Sequence, residues 1–195
     1  MQTPAPAVTL RPIRAADAEA LRVFVAEGLG AASRCLRFHG TVNGCGQALL
    51  EQLCGADGRR HVAFAAWASL DGRETLIGEA RYFVDADGET AELAIAVADA
   101  WQGRAVADLL LRRLVEAARN AGLRWLYGLV LENNTRMAGF MVRHGFDVCV
   151  NAGCEGMLRL ERSVAVAARR KPARANGFVV WAVERLFGVA VPAAL

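Results

Sequence analysis

The sequence predicts a single α/β domain of the mixed α+β kind, built on a mostly antiparallel central sheet. Three observations carry this. Three strand-like runs follow one another between His61 and Val97, separated by the turn signals Asp71-Gly72 and Asp87-Gly88. The segment Ala105–Ala121 then sets Leu109, Leu110, Leu114, Val115 and Ala118 on one face and Arg112, Arg113, Glu116 and Arg119 on the other, as an amphipathic helix does. An apolar run, a second helical pattern and two short strands complete the order after it.

Taken in sequence, Val8–Arg14 reads as an extended run interrupted by Pro12. Asp17 is placed to cap a helix in which Ala18, Leu21, Phe24 or Val25, and Leu29 recur at helical spacing, with Gly28 and Gly30 ending it. Ser33–Gly40 reads as a short connector with at most a helical turn, and Gln47–Cys54 as a second helix. His61–Ser69, Thr75–Val84 and Thr90–Val97 form an antiparallel meander. Gly122 stops the long helix. Trp125–Leu131 reads as a buried strand, Asn134 caps a helix running to His144, and Phe146–Val150 with Gly156–Leu160 make a last strand pair. The expected total is about six to seven strands and about four helices, within residues 1–162. Residues 163–195 read as a basic linker (Arg169, Arg170, Lys171, Arg174) and an apolar C-terminal helix over 177–195. That apolar stretch needs a cover: the parent domain, a second copy in a homodimer, or a membrane surface.

Composition narrows the classes. Hydrophobic residues make up 54% of the chain, enough for a full core, and the net charge is only +3. No basic face is concentrated enough to expect a nucleic-acid partner. Five cysteines (Cys35, Cys45, Cys54, Cys149, Cys154) show neither CxxC nor Cys/His spacing. Reduced, mostly buried thiols in a cytoplasmic protein are expected, with no metal site. Met1–Ala7 lacks the basic and apolar regions of a signal peptide, and no uncharged apolar run reaches the length of a spanning helix.

The segment Val97–Ala107 lies between a strand and a helix, with Gln102, Gly103, Arg104 and Ala105 at the helix start. The first N–H groups of a helix have no internal partner and carry the positive end of its dipole. A pyrophosphate fits there, and small residues at 103, 105 and 107 let it approach the backbone. The same residues also suit an ordinary tight turn.

Gln102, Ala105 and Ala107 match the Gln/Arg-x-x-Gly-x-Gly/Ala signature of the GNAT superfamily of N-acetyltransferases, which the chain resembles over about residues 8 to 161. The chain departs from the signature at Ala105, where the family usually has glycine. At negative φ an alanine is sterically allowed there, so weakened rather than lost cofactor binding is expected. Leu131–Met137 followed by Arg143-His-Gly-Phe146 is similar to the family's Asn-helix-Gly-Phe segment, and Thr9–Arg14 with Asp17 to its opening. Ser33–Phe38 further resembles the acetyltransferase domain of protein lysine acetyltransferases.

The resemblance implies a sheet splayed between its fourth and fifth strands, with acetyl-CoA as co-substrate. It implies that Ile95, Ala96 and Val97 meet the pantetheine arm, that Gln102, Gly103, Arg104, Ala105, Val106 and Ala107 hold the pyrophosphate, and that Asn134 contacts the arm. Glu92 takes the place where several members carry a general base. Strand alternation puts it on one face with Ala94 and Ala96, leaving room for a substrate. Its other reading is an exposed strand residue paired with an arginine. Many relatives use a tyrosine as general acid where this chain has Met141, so water would protonate the leaving thiolate. The implied activity is acetyl transfer to a primary amine, either a small molecule or a protein lysine. A non-catalytic acyl-CoA-sensing module is the alternative. Asp85, Asp87 and Glu89 read either as an attractor for a cationic amine or as turn residues.

Overall fold

The computed structural model describes residues 7–40, 45–70, 72–149 and 156–165. The expected C-terminal helix lies outside them. The elements are β1 (Val8–Pro12), α1 (Ala18–Val23), α2 (Ala31–Phe38), α3 (Gln47–Cys54), β2 (His61–Leu70), β3 (Arg73–Val84), β4 (Thr90–Val97), α4 (Val106–Asn120), β5 (Trp125–Leu131), α5 (Thr135–Arg143), β6 (Asp147–Cys149) and β7 (Met157–Ser163). Among the described residues five α-helices thus stand where about four were expected. The additional one is α2, where the sequence reading saw only a connector. It spans only eight residues and none of them is fully buried, so little in the sequence separates it from a connector.

The seven strands form one sheet in the order β1-β2-β3-β4-β5-β7-β6. Every neighbouring pair is antiparallel except β4 and β5. Strand β2 is buried from His61 to Ala68 and rich in alanine, which lets helices approach the sheet closely on both faces. Alternation sorts β3: a Cβ on Gly78 would touch Leu110 and Val106 of α4, whereas Arg81 reaches the Leu53 carbonyl of α3. Helices α4 and α5 therefore cover one face and α2 and α3 the other.

Asp17 does more than begin a helix. It accepts the Arg14 N–H at 2.8 Å and both terminal nitrogens of Arg11 at 2.8 Å, tying the end of β1 to the first turn. The four described cysteines are unbridged. Contrary to the expectation of mostly buried thiols, Cys35 in the middle of α2 is exposed, while Cys45 before α3, Cys54 at its end and Cys149 on the edge strand β6 are part-exposed. Among the described residues no helix is long and apolar enough to cross a membrane.

The face under α2 and α3 holds a buried ionic cluster. Glu79 and Arg81 are 2% and 1% exposed and pair at 2.8 Å. Arg37 of α2 adds a second guanidinium at 2.8 Å. His61 Nε2 lies 3.1 Å from Arg81 Nη1. A guanidinium only donates, so this nitrogen accepts and the ring carries its proton on Nδ1. Burial works to raise the Glu79 pKa, but Arg81 and Arg37 outweigh it and hold the carboxyl below its ordinary value.

A depressed carboxylate contributes stability above its unfolded pKa and loses it as pH falls through the folded value. Denaturant titrations should therefore show stability falling as pH drops below about 4.5, the ordinary glutamate value. Glu79→Gln should flatten that part of the profile and cost about 3 kcal/mol at neutral pH, because it leaves buried guanidinium charge uncompensated.

Candidate active site

Strands β4 and β5 run parallel for only three residue pairs, Thr90–Trp125, Ala91–Leu126 and Glu92–Tyr127. Beyond them β4 stays paired with β3 up to Val97, and β5 stays paired with β7 up to Leu131. Each strand is held by its outer neighbour while the two inner edges part. The wedge is the centre of a cleft of about 1220 Å³ that opens to both faces of the sheet. Leu93, Ile95 and Val97 line it on the α4 side; Glu92, Ala94 and Ala96 line it on the side of α2 and α3.

At the wide end stands the start of α4. Ala105 is its N-cap, with no side chain capping the helix, and the first bond to the Ala105 carbonyl comes from Leu109. The N–H groups of Val106, Ala107 and Asp108 thus have no intrahelical acceptor and face the cleft mouth. Gly103 has φ 76° and Ala105 φ 60°. This corrects the expectation of negative φ at residue 105. The loop turns through the left-handed region twice, and only the first of those positions is a glycine. The alanine costs about 1 kcal/mol there, which explains why a glycine suits this place.

Gln102 organises the mouth. Its Nε2 donates to Asp99 Oδ1 at 3.0 Å and to the Val97 carbonyl at 3.3 Å, and its Oε1 accepts from Arg136 of α5. Asp99 in turn accepts the Ser33 hydroxyl at 2.6 Å and the Gly30 N–H at 3.0 Å, both from the start of α2. Ser33, Asp99 and Arg136 were not found from the sequence. Ser33 lies 69 residues from Gln102 and 66 from Asp99, and Arg136 lies 34 from Gln102, so no local spacing signals these links; Asp99 is three residues from Gln102, but its bonds to Gly30 and Ser33 are equally long-range. Arg104 is exposed and stacks over Trp101, with 5.2 Å between its guanidinium carbon and the ring centroid. Arg136 and Arg143 also border the cleft. Asp108, the one acid in the first turn of α4, is paired with His144 at 2.9 Å. Asn134 caps α5 by accepting the Met137 N–H at 3.1 Å and also borders the cleft.

Glu92 is half-buried at the narrow end, in register with Tyr127. Among the described residues its carboxylate makes no ion pair, so the arginine-paired arrangement is not the one found. The Tyr127 phenol is pushed above its ordinary pKa, by burial first and then by the charges of Glu92 and Asp85. Tyr127 donates to Asp85 Oδ1 at 3.3 Å, and Arg159 stacks on its ring at 3.5 Å. Asp87 accepts from Glu89 N, Thr90 N and Thr90 Oγ1, and Glu89 pairs with Arg124. These two acids serve the turn. Among the described residues no group of three or more metal-ligating side chains is present.

A family model described as the acetyltransferase (GNAT) domain matches residues 7–147. Acetyltransferase PA5475 of Pseudomonas aeruginosa is 33% identical over 139 residues, which is 71% of this chain and 74% of that protein. The crystal structure of the GNAT domain of S. lividans PAT has a TM-score of 0.72 and 28% identity, covering 83% of this chain and 99% of that one. Spermidine N-acetyltransferase from Vibrio cholerae, solved with CoA and spermine, shares the fold at a TM-score of 0.62 and 17% identity, covering 80% of this chain and 95% of that one. A wedge between β4 and β5, an uncapped helix start at its mouth and a family match over most of the chain agree: the chain belongs to the GNAT acetyltransferase family.

Proposed function

We propose that this protein transfers the acetyl group of acetyl-CoA to a primary amine, by direct attack within a ternary complex. The observation that carries the reading is the wedge, whose wide end meets the N-terminus of α4. The residues fit the co-substrate. The N–H groups of Val106 and Ala107, with Gly103, Ala105 and the Gln102–Arg104 turn beside them, suit the pyrophosphate. The unpaired edge of β4 at Ile95, Ala96 and Val97 offers main-chain groups to the amides of the pantetheine arm. Asn134 borders the same groove from the start of α5.

The amine enters from the face of α2 and α3, where Glu92 stands beside Ala94 and Ala96. Glu92 takes a proton from the ammonium. The neutral nitrogen attacks the thioester carbonyl carbon and a C–N bond forms; the nitrogen, now cationic, sheds its second proton to water, the C–S bond breaks, and CoA leaves as a thiolate that takes a proton from water. Main-chain N–H groups of β4 are placed to receive the charge that develops on the carbonyl oxygen. Holding both reactants in one cleft supplies much of the acceleration. Small amines and protein lysines both fit this chemistry. The resemblance of Ser33–Phe38 to protein lysine acetyltransferases supports the lysine, and Glu92 on the cleft wall supports a cationic acceptor of either kind. We place the reaction in the cytoplasm, a reading supported by the unbridged cysteines.

A second reading, a non-catalytic acyl-CoA-sensing module, is favoured by Met141, which cannot donate a proton, and by the left-handed Ala105. Calorimetry with acetyl-CoA, followed by a thiol-release assay over a panel of amines and lysine peptides, separates the two. Binding without turnover on any acceptor supports the sensor. Absence of both binding and heat protection by CoA rejects both readings.

Where turnover is found, Glu92→Gln should lower kcat by about 10²-fold or more and change the pH–rate profile. An unaltered profile excludes Glu92 as the base. Ala105→Gly should tighten CoA binding several-fold and raise the melting temperature by about 1–2 °C, because relief of the left-handed strain exceeds the entropy added to the unfolded chain. Calorimetry and thermal scans of the two proteins check this.

A further inference from the structure

The wedge has a closed inner end, and there its wall on the side of α4 and α5 is apolar. Gly128 directly follows Tyr127, the last residue of β5 that pairs with β4, and Leu93 directly follows Glu92, the last such residue of β4. These two positions form the apex where the strands begin to part. Met141 of α5 lies across it. A methyl group placed on Gly128 would sit 2.9 Å from Met141 Cε, 3.3 Å from its Sδ and 3.6 Å from Leu93 Cδ1. Met141 is 2% exposed and Leu93 5%, yet both border the cleft. The tip of Met141 therefore occupies the space that any side chain at residue 128 would take, and it closes the apex against Leu93.

We propose that Gly128 and Met141 set the length and polarity of the acyl group, admitting acetyl and rejecting longer or charged acyl chains. The inference rests on the reading that the thioester arm lies in the wedge and points its acyl end toward Glu92. An acyl chain of four carbons would then run into Cε of Met141, and the closely packed wall can yield only by displacing buried side chains. A terminal carboxylate, as in a succinyl group, would meet Leu93 and Met141 with no polar partner from either. The missing side chain at residue 128 matters as much as the methionine. It lets a long, unbranched thioether reach across from α5 and lie flat on the strand.

The test is calorimetry of the full chain with free CoA, acetyl-CoA and butyryl-CoA. For the wild-type protein, butyryl-CoA should bind at least about 10-fold more weakly than acetyl-CoA. Met141→Ala should narrow that gap to less than about 3-fold while leaving free CoA within about twofold. Gly128→Ala should act in the opposite sense, weakening acetyl-CoA several-fold and butyryl-CoA further, since its methyl pushes the methionine tip toward the acyl end. Should Met141→Ala not fold, Gly128→Ala decides alone, because the atom it displaces is the free end of a flexible side chain. Equal binding of acetyl- and butyryl-CoA to the wild type, or an unchanged ratio in the folded variants, overturns the inference and leaves the acetyl-transfer reading standing. Failure of free CoA itself to bind the wild type is a different result, and it removes the underlying reading as well.

Discussion

The architecture depends on an unequal contest for hydrogen bonds between two parallel strands. Strand β4 pairs with β5 for three residues and then stops, although both continue for several residues more. Each is committed to an outer partner: β4 to β3 for seven pairs, β5 to β7 for seven. A pair of strands held from outside can part without losing its place in the sheet. The gap costs the backbone groups of residues 93–97 one set of partners, and unpaired groups of this kind are expensive unless water or a ligand serves them. That cost marks the gap as a site and not a packing fault.

The elements around the gap hold it open. On one face, Arg37 ties α2 to the buried Glu79 on β3, so the helix that borders the Glu92 side of the cleft is anchored through a nearly buried ion pair. At the mouth, Ser33, Asp99, Gln102 and Arg136 link α2, the end of β4 and α5 in a continuous chain of hydrogen bonds. The turn that presents the α4 amides is thus fixed from three directions. Its one strained residue, Ala105, is tolerated because those neighbours determine the path of the backbone.

Much of this was legible from residue order. The meander, the long amphipathic helix and the strand after it follow from periodicity, and their bounds differ by only a residue or two from those found. That Glu92 and the loop from Gln102 to Ala107 would come to one cleft was legible from the resemblance; the roles given to them are proposals. The helix α2 was not, since none of its residues is fully buried and it is held largely by polar contacts from Ser33, Arg34 and Arg37 to residues outside the helix. The sign of φ at residue 105 was not, because alanine gives no hint of a left-handed turn; only the glycine of relatives does. The apposition of Gly128 and Met141 needs the crossing of α5 over β5, a tertiary fact with no sequence period behind it.

An open strand edge is ordinarily a hazard, because a second chain can add to it and begin an aggregate. Here the bare segment lies at the bottom of a furrow, shielded on one bank by β5 and on the others by α2, α4 and α5. A slender thread one backbone wide can reach it, but a whole sheet from another molecule cannot. The geometry that admits a narrow guest therefore also guards this bare edge against pairing with another sheet.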